Sequence, residues 1–145
     1  MTHDSLRFYT HEFRVAYHQT DGQRRVHHSN YLNYFEDARV EMLRAGGVQY
    51  KDIEDSGCLL VVTEMNVRYF AAAEFDDWLR LEVELTEIRK VRLRHRYEVF
   101  RDQLLIASAE STIASVGRDG RPKKLPQKFL DYARLAWPRD HQKPT

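Results

Sequence analysis

The chain lacks what several large protein classes are built from. It has one cysteine, Cys58, in 145 residues, so neither an intrachain disulfide framework nor a multi-cysteine zinc site can form. Neither sign of charge dominates: 23 Lys and Arg stand against 22 Asp and Glu, for a formal net charge of +1. Such a balance gives no global field to recruit nucleic acid or an anionic membrane. No run approaches the ~18 consecutive apolar residues of a membrane span, and residues 1–10 lack an apolar signal core. Repeats and low-complexity tracts are absent as well. The expectation is a soluble, cytoplasmic protein with one domain over residues 11–136 and polar tails at 1–10 and 137–145. A chain of this length suits one domain and buries roughly 68–70% of its unfolded surface. Aromatic residues reach 12%, which argues against disorder. The mean hydropathy of −0.67 is nevertheless polar for a chain that must pack a core.

Periodicity places the elements. Residues 11–17 alternate, with Phe13, Val15 and Tyr17 on one face, which predicts a strand. Residues 18–28 lose the period and carry Asp21-Gly22, a loop. From Asn30 the spacing is helical: Tyr31, Tyr34, Phe35, Ala38, Met42 and Ala45 share a face. Ser29 or Asn30 serves as N-cap, and Gly46-Gly47 stops the helix. That helix has about 16 residues and is roughly 24 Å long. A loop or helical turn around 50–55 is followed by strands at 59–70, with Met65, Val67 and Tyr69 inward, and at 78–88, 91–99 and 104–116. Residues 117–126 read as a loop and 128–137 as a short closing helix. The class is α+β, with the helix across the concave face of a curved antiparallel sheet.

The two central strands allow a register expectation. A hairpin centred on Arg89 opposes Glu84 to Arg94, Glu82 to Arg96 and Arg80 to Glu98. Pairs of opposite charge contribute ~0.2–1 kcal/mol each. Sliding the hairpin by two would oppose Glu82 to Glu98. On this reading Arg92, Arg94 and Arg96 form a balanced sheet face and not a nucleic-acid stripe.

Chemistry concentrates at the loop-to-helix junction, residues 17–31. A helix N-terminus offers unpaired N–H groups and a partial positive charge, which can stabilise a carbonyl oxygen as it gains charge. A carboxylate beside it can attack that carbonyl or activate a water. Asp21 and the His28 N–H thus make an acyl-transfer pair. Ser29 has no G-x-S-x-G elbow around it and reads as a cap, not a nucleophile. His18, His27 and Asp21 lack metal-ligand spacing, so no metal is expected. Glu36 and Arg39 sit at i, i+3 as an ion pair, and Cys58 is a packed thiol.

The run Thr20-Asp21, His28, Tyr31, then Tyr34-Phe35-Glu36 with Ala38-Arg39, resembles the hotdog-fold thioesterases. It is most similar to the 4-hydroxybenzoyl-CoA thioesterase and Tol-Pal-associated acyl-CoA thioesterase group, whose pattern is approximately T-D-x(2)-G-x-V-x-H-x(2)-Y followed by an aromatic-E-x-A-R helix. Val67-Arg68-Tyr69, Asp76-Asp77, Gly120-Arg121-Pro122 and Leu125-Pro126 fit the later segments. The resemblance implies a hotdog fold, a curved antiparallel sheet wrapped around one long central helix. It implies acyl-CoA thioester hydrolysis without a cofactor, by a homodimer or homotetramer with its active site at a subunit interface. Asp21 takes the position of the catalytic nucleophile or general base, and His28 that of the N–H polarising the carbonyl. Tyr31 lines the acyl pocket, and Arg89 and Lys90 fall where some relatives hold the CoA nucleotide. An acyl-carrier-protein thioesterase and a non-hydrolytic acyl-CoA-binding protein are the alternatives. Two positions depart from the pattern: Arg24, followed by Arg25, replaces a glycine, and Ala72 replaces a proline. Glycine at the first implies an unusual backbone angle or a close substrate approach, so the arginines could reshape the loop, block the acyl channel or bind CoA phosphates.

Overall fold

Alternating apolar and polar side chains become strands wherever the sequence pattern runs long, as the computed structural model of residues 7–136 shows. The order is β1 (Phe8–Arg14), a 3-10 turn (Tyr17–Gln19), α1 (Asn30–Ala45), α2 (Tyr50–Asp55), β2 (Leu59–Tyr69), β3 (Trp78–Ile88), β4 (Arg92–Arg101), β5 (Leu104–Val116) and α3 (Gln127–Ala136). The strands form one antiparallel sheet in the order β1-β3-β4-β5-β2. The α+β expectation holds, with β1 and β2 at the sheet edges. Residues 1–6 and 137–145, the ends expected as tails, lie outside the described residues. Residues 8–10, also expected as tail, belong to β1. Tyr17 is 70% exposed and not inward, because the chain leaves β1 at Arg14 and coils into the 3-10 turn. Its ring meets Phe75 edge-on at 5.3 Å. Tyr69, also expected inward, is 47% exposed.

The helix follows its sequence pattern closely. Tyr31, Tyr34, Phe35, Ala38, Met42 and Leu43 are buried, Leu43 taking the place expected of Ala45, which is exposed. At its end Gly47 adopts φ +84°, and its N–H reaches Arg44 O at 3.1 Å while Val48 N–H reaches Leu43 O at 2.8 Å. These bonds satisfy carbonyls that the helix itself leaves open, and buried Val48 meets the last turn. Gly46 has a packing reason as well: a Cβ there would collide with the Tyr132 ring of α3.

The β3–β4 register differs from the expectation. Glu82 faces Glu98, Glu84 faces Arg96 and Arg80 faces Phe100, with a shift between Leu85 and Glu87. The turn explains it: Arg89 N–H bonds to Arg92 O at 2.8 Å, so the hairpin closes around Lys90-Val91 and not around Arg89. Opposition of Glu82 and Glu98 is offset locally. Arg80 reaches Glu82 at 3.2 Å along its own strand, and Arg96 meets Glu84 at 2.8 Å across the pair. Inward residues still face inward residues, Leu81 against Val99 and Val83 against Tyr97. A slide by two keeps that parity, so both alignments bury the same residues, and the turn outweighs partly exposed ion pairs in choosing between them.

Between α1 and the sheet the core is not wholly apolar. Along β4, Leu93, His95, Tyr97 and Val99 are all buried. The Tyr97 hydroxyl lies 2.6 Å from Ser111 Oγ and accepts from Arg39 Nη1 at 2.9 Å. The expected Glu36–Arg39 ion pair is therefore not formed; the guanidinium turns under the helix instead. Cys58 is buried, its Sγ 2.8 Å from Ser115 Oγ.

Burial, aided by the Arg39 charge, lowers the His95 pKa from 6.5 to about 3. The unfolded chain takes up a proton here below pH 6.5 that the folded chain refuses. The contribution of this group is therefore complete above pH 6.5 and is lost as pH falls toward 3. Urea unfolding at pH 7 and pH 4.5 is expected to show a larger loss of stability for the wild type than for His95→Leu. Equal losses would refute the buried neutral imidazole.

Candidate active site

The segment between β1 and α1 has few apolar residues to hold it, and hydrogen bonds take over. Gln19 is the hub. Its Oε1 accepts from Ala16 N–H at 2.9 Å and from the Tyr34 hydroxyl at 2.9 Å. Its backbone oxygen accepts from His27 N–H at 3.0 Å and from Asn30 Nδ2 at 2.7 Å. One residue thus joins the end of the 3-10 turn, the far side of the loop and the first turn of α1. Beyond it Thr20 bridges Val26, and Asp21 N–H meets Arg25 O at 2.8 Å. Residues 20–26 form a small hairpin.

Asp21 sits in that hairpin, exposed. Its Oδ1 accepts from Gln23 N–H at 2.8 Å and from Arg25 N–H at 3.2 Å. Among the described residues Oδ2 has no hydrogen-bond or ion-pair partner. One oxygen holds the loop and the other makes no such bond. Arg24 takes φ +66°, the left-handed region that favours glycine. Arginine at this position therefore keeps the turn a glycine would make, and both Arg24 and Arg25 are exposed. The loop is tied to the segment before β3 by Val26 N–H to Ala73 O at 2.8 Å, Phe75 N–H to Arg24 O at 3.1 Å, and a bridge from Arg25 to Glu74.

At the start of α1, Asn30 N–H bonds to His27 O at 2.9 Å and Tyr31 N–H to His28 O at 3.3 Å. The N–H of His28 has no acceptor among the described residues, and the residue is exposed. Ser29 stands at the N-cap but makes no side-chain cap bond. Its Oγ is instead 2.7 Å from His27 Nδ1. The His27 and His28 rings lie 4.2 Å apart, and the Tyr69 hydroxyl donates to His28 O at 3.2 Å. Tyr31 is 2% exposed, with its ring 5.2 Å from that of Tyr69. Burial and the neighbouring Tyr69 push its phenol up to about 12, while a backbone hydrogen bond at Ala73 acts the other way. Ala73 therefore touches both Tyr31 and the Asp21 hairpin.

Asp21, His28 and Tyr31 thus belong to one end of the sheet. Arg89 and Lys90 do not join them within the chain. They occupy the β3–β4 turn, at the far end of an 11-residue strand, roughly 30 Å along it. Arg89 pairs with Glu87 at 2.6 Å, and Lys90 O accepts from Leu125 N–H at 2.9 Å. Sequence reading passed over Gln19. Its partners come from residues 16, 27, 30 and 34, so no local period marks it.

The chain is similar to known proteins over most of its length. The profile of the thioesterase-like superfamily matches residues 15–133. A putative esterase of Aquifex aeolicus is 32% identical over 118 residues, covering 81% of this chain and 91% of that protein. The acyl-CoA thioesterase YbgC of Haemophilus influenzae is 33% identical over 104 residues, 71% of this chain and 76% of that one. The crystal structure of a probable thioesterase from Bartonella henselae superposes with a TM-score of 0.77 at 26% identity, covering 82% of this chain and 99% of that one.

Gln19→Ala removes the acceptor for two donors, one on a tyrosine that is 2% exposed. Unfolding in urea is expected to show a loss of about 1–3 kcal/mol. A change within ~0.3 kcal/mol would remove Gln19 from its role as hub.

Proposed function

This chain belongs to the thioesterase-like superfamily, and from its site we propose that it hydrolyses acyl-CoA thioesters, with Asp21 as nucleophile or general base. The observation that carries the reading is the division of labour at Asp21. Oδ1 is held by two backbone N–H groups while Oδ2 is unpartnered among the described residues. A carboxylate so oriented loses little freedom on attacking. The thioester carbonyl oxygen lies against the His28 N–H at the head of α1, where the unpaired donor and the helix dipole favour its developing negative charge. Attack by Asp21 breaks the C–S bond, releases CoA thiolate and leaves an acyl-aspartyl anhydride that water cleaves. As general base, Asp21 instead takes the proton of the attacking water. Either route ends in a free acid and CoA thiol, and no metal or organic cofactor enters it. Tyr31 lines the acyl side, its phenol neutral through the working pH range.

The edge of the sheet supports a homodimer or homotetramer. Among the described residues β2 pairs with β5 on one side only, and its Val61, Val62 and Tyr69 are 40%, 48% and 47% exposed. An open apolar edge strand favours pairing with another copy. An antiparallel β2–β2 pairing reverses the partner end for end. That brings the partner's β3–β4 turn to the end of the sheet that carries Asp21, the setting in which Arg89 and Lys90 reach the CoA nucleotide. Arg24 supports hydrolysis over mere binding, since its left-handed backbone keeps the loop in the shape a glycine would give.

Asp21→Asn retains an acceptor for the Gln23 and Arg25 N–H groups and removes the charge. Free thiol released from acyl-CoA substrates is expected to fall by about 10²–10⁴-fold, with thermal unfolding little changed; undiminished release would exclude Asp21. Sedimentation velocity is expected to give two or four times the 17.3 kDa of one chain, and a monomer at micromolar concentration would sink the edge pairing.

A further inference from the structure

The Glu36-x-Ala38-Arg39 segment lies beyond the site just described, in the middle of α1. Beneath it is a cavity of about 150 Å³ between α1, the sheet and α3, with Leu43, Leu60 and Phe129 among its apolar walls. Four ionisable side chains line it: Glu36, Arg39, Tyr50 and His95, the Tyr50 hydroxyl lying 3.4 Å from Leu60 O and its pKa raised by burial. Arg39 donates to the Tyr97 hydroxyl, and among the described residues no carboxylate forms an ion pair with it, Glu36 included. A guanidinium carries five N–H donors, so most of its capacity is unspent. Arg39 is half-buried, and a cation partly withdrawn from water without a counter-charge gains by acquiring one. His95 is 4% exposed, and its Nδ1 is buried with no hydrogen-bond partner. An uncompensated cation, an orphan imidazole nitrogen and empty space therefore meet at one place.

We propose that this cavity binds the carboxylate of an aliphatic acid, with Arg39 as its counter-charge and His95 Nδ1–H as a second donor. The apolar walls take the methylenes that a bare inorganic anion lacks. At roughly 30 Å³ per water, the volume admits a carboxylate with a few carbons attached. Burial keeps His95 uncharged, which leaves Arg39 as the cation facing the anion. The exposed Glu36 shares the lining, opposes anions from outside, and sets the affinity below that of a purely basic pocket. Binding of the acid stands on the cavity alone. Its source rests on the hydrolase reading: the acid released by the reaction, or the far carboxylate of a dicarboxylic acyl group.

Isothermal titration of the intact protein with hexanoate, adipate and methyl hexanoate tests this. Hexanoate or adipate is expected to bind at least tenfold more tightly than the ester, with the difference lost in Arg39→Met and partly restored in Arg39→Lys. Ester binding equal to that of both acids in the wild type overturns the proposal, and that comparison needs no variant. Acid binding unchanged in Arg39→Met overturns it too. Hydrolysis of adipoyl-CoA with kcat/KM tenfold above that of hexanoyl-CoA identifies the far carboxylate as the ligand. Competitive inhibition by hexanoate without that preference identifies the product acid. Absence of thiol release from either ester, with acid binding intact, refutes the hydrolase reading and leaves the carboxylate site standing.

Discussion

Burial of one stripe of α1 against the sheet is the contact from which the rest of the molecule is placed. Tyr31, Tyr34, Phe35, Ala38 and Met42 point into a layer made by Leu79, Leu81, Val83, Tyr97 and Val99, all buried. Each large side chain so covered contributes about 1.5–3 kcal/mol relative to exposure. That stripe fixes the helix axis, and a fixed axis fixes both ends. The C-terminal end is closed by the Gly47 turn and the ring of Tyr132. The N-terminal end is left open, with His28 exposed and its N–H without an acceptor among the described residues. The proposed binding of a carbonyl oxygen there relies on that asymmetry.

The loop carrying Asp21 obeys different physics. It buries little, so its shape comes from hydrogen bonds: four accepted by Gln19 and two by Asp21 Oδ1. The left-handed Arg24 shows the constraint at work, because the turn imposes its backbone angle even on a residue that disfavours it. Rigidity reached this way costs no carboxylate, since the second oxygen of Asp21 stays unpartnered among the described residues. The same economy is absent under the middle of α1. There His95 and Arg39 replace the apolar residues that packing alone would favour, and their hydrogen-bonding capacity is not exhausted.

Legibility in the sequence followed the range of the forces involved. The bounds of α1, β3 and β5 were readable because helical and alternating periods are local and long. The pattern of Thr20-Asp21, His28, Tyr31 and Glu36 to Arg39 was readable as a family resemblance. The Glu36–Arg39 ion pair was misjudged, since Arg39 finds Tyr97, 58 residues away. The β3–β4 register was misjudged for a related reason. Charge pairing favoured one alignment, but a turn around Lys90-Val91 and a bulge past Leu85 chose another that buries the same residues.

By itself the sequence determined the fold class, the long helix with its stop, the strands and the loop-to-helix junction to which we assign the chemistry. These depend on which residues are apolar and at what spacing, quantities a single segment carries. Tertiary structure alone decided the strand register, the separation of Arg89 and Lys90 from Asp21, the hub at Gln19 and the polar cavity under α1. Each of these depends on which distant groups share a hydrogen bond or a void. That is set only when the helix and sheet pack, because an unpaired donor acquires its partner, or is left without one, at the moment water is excluded.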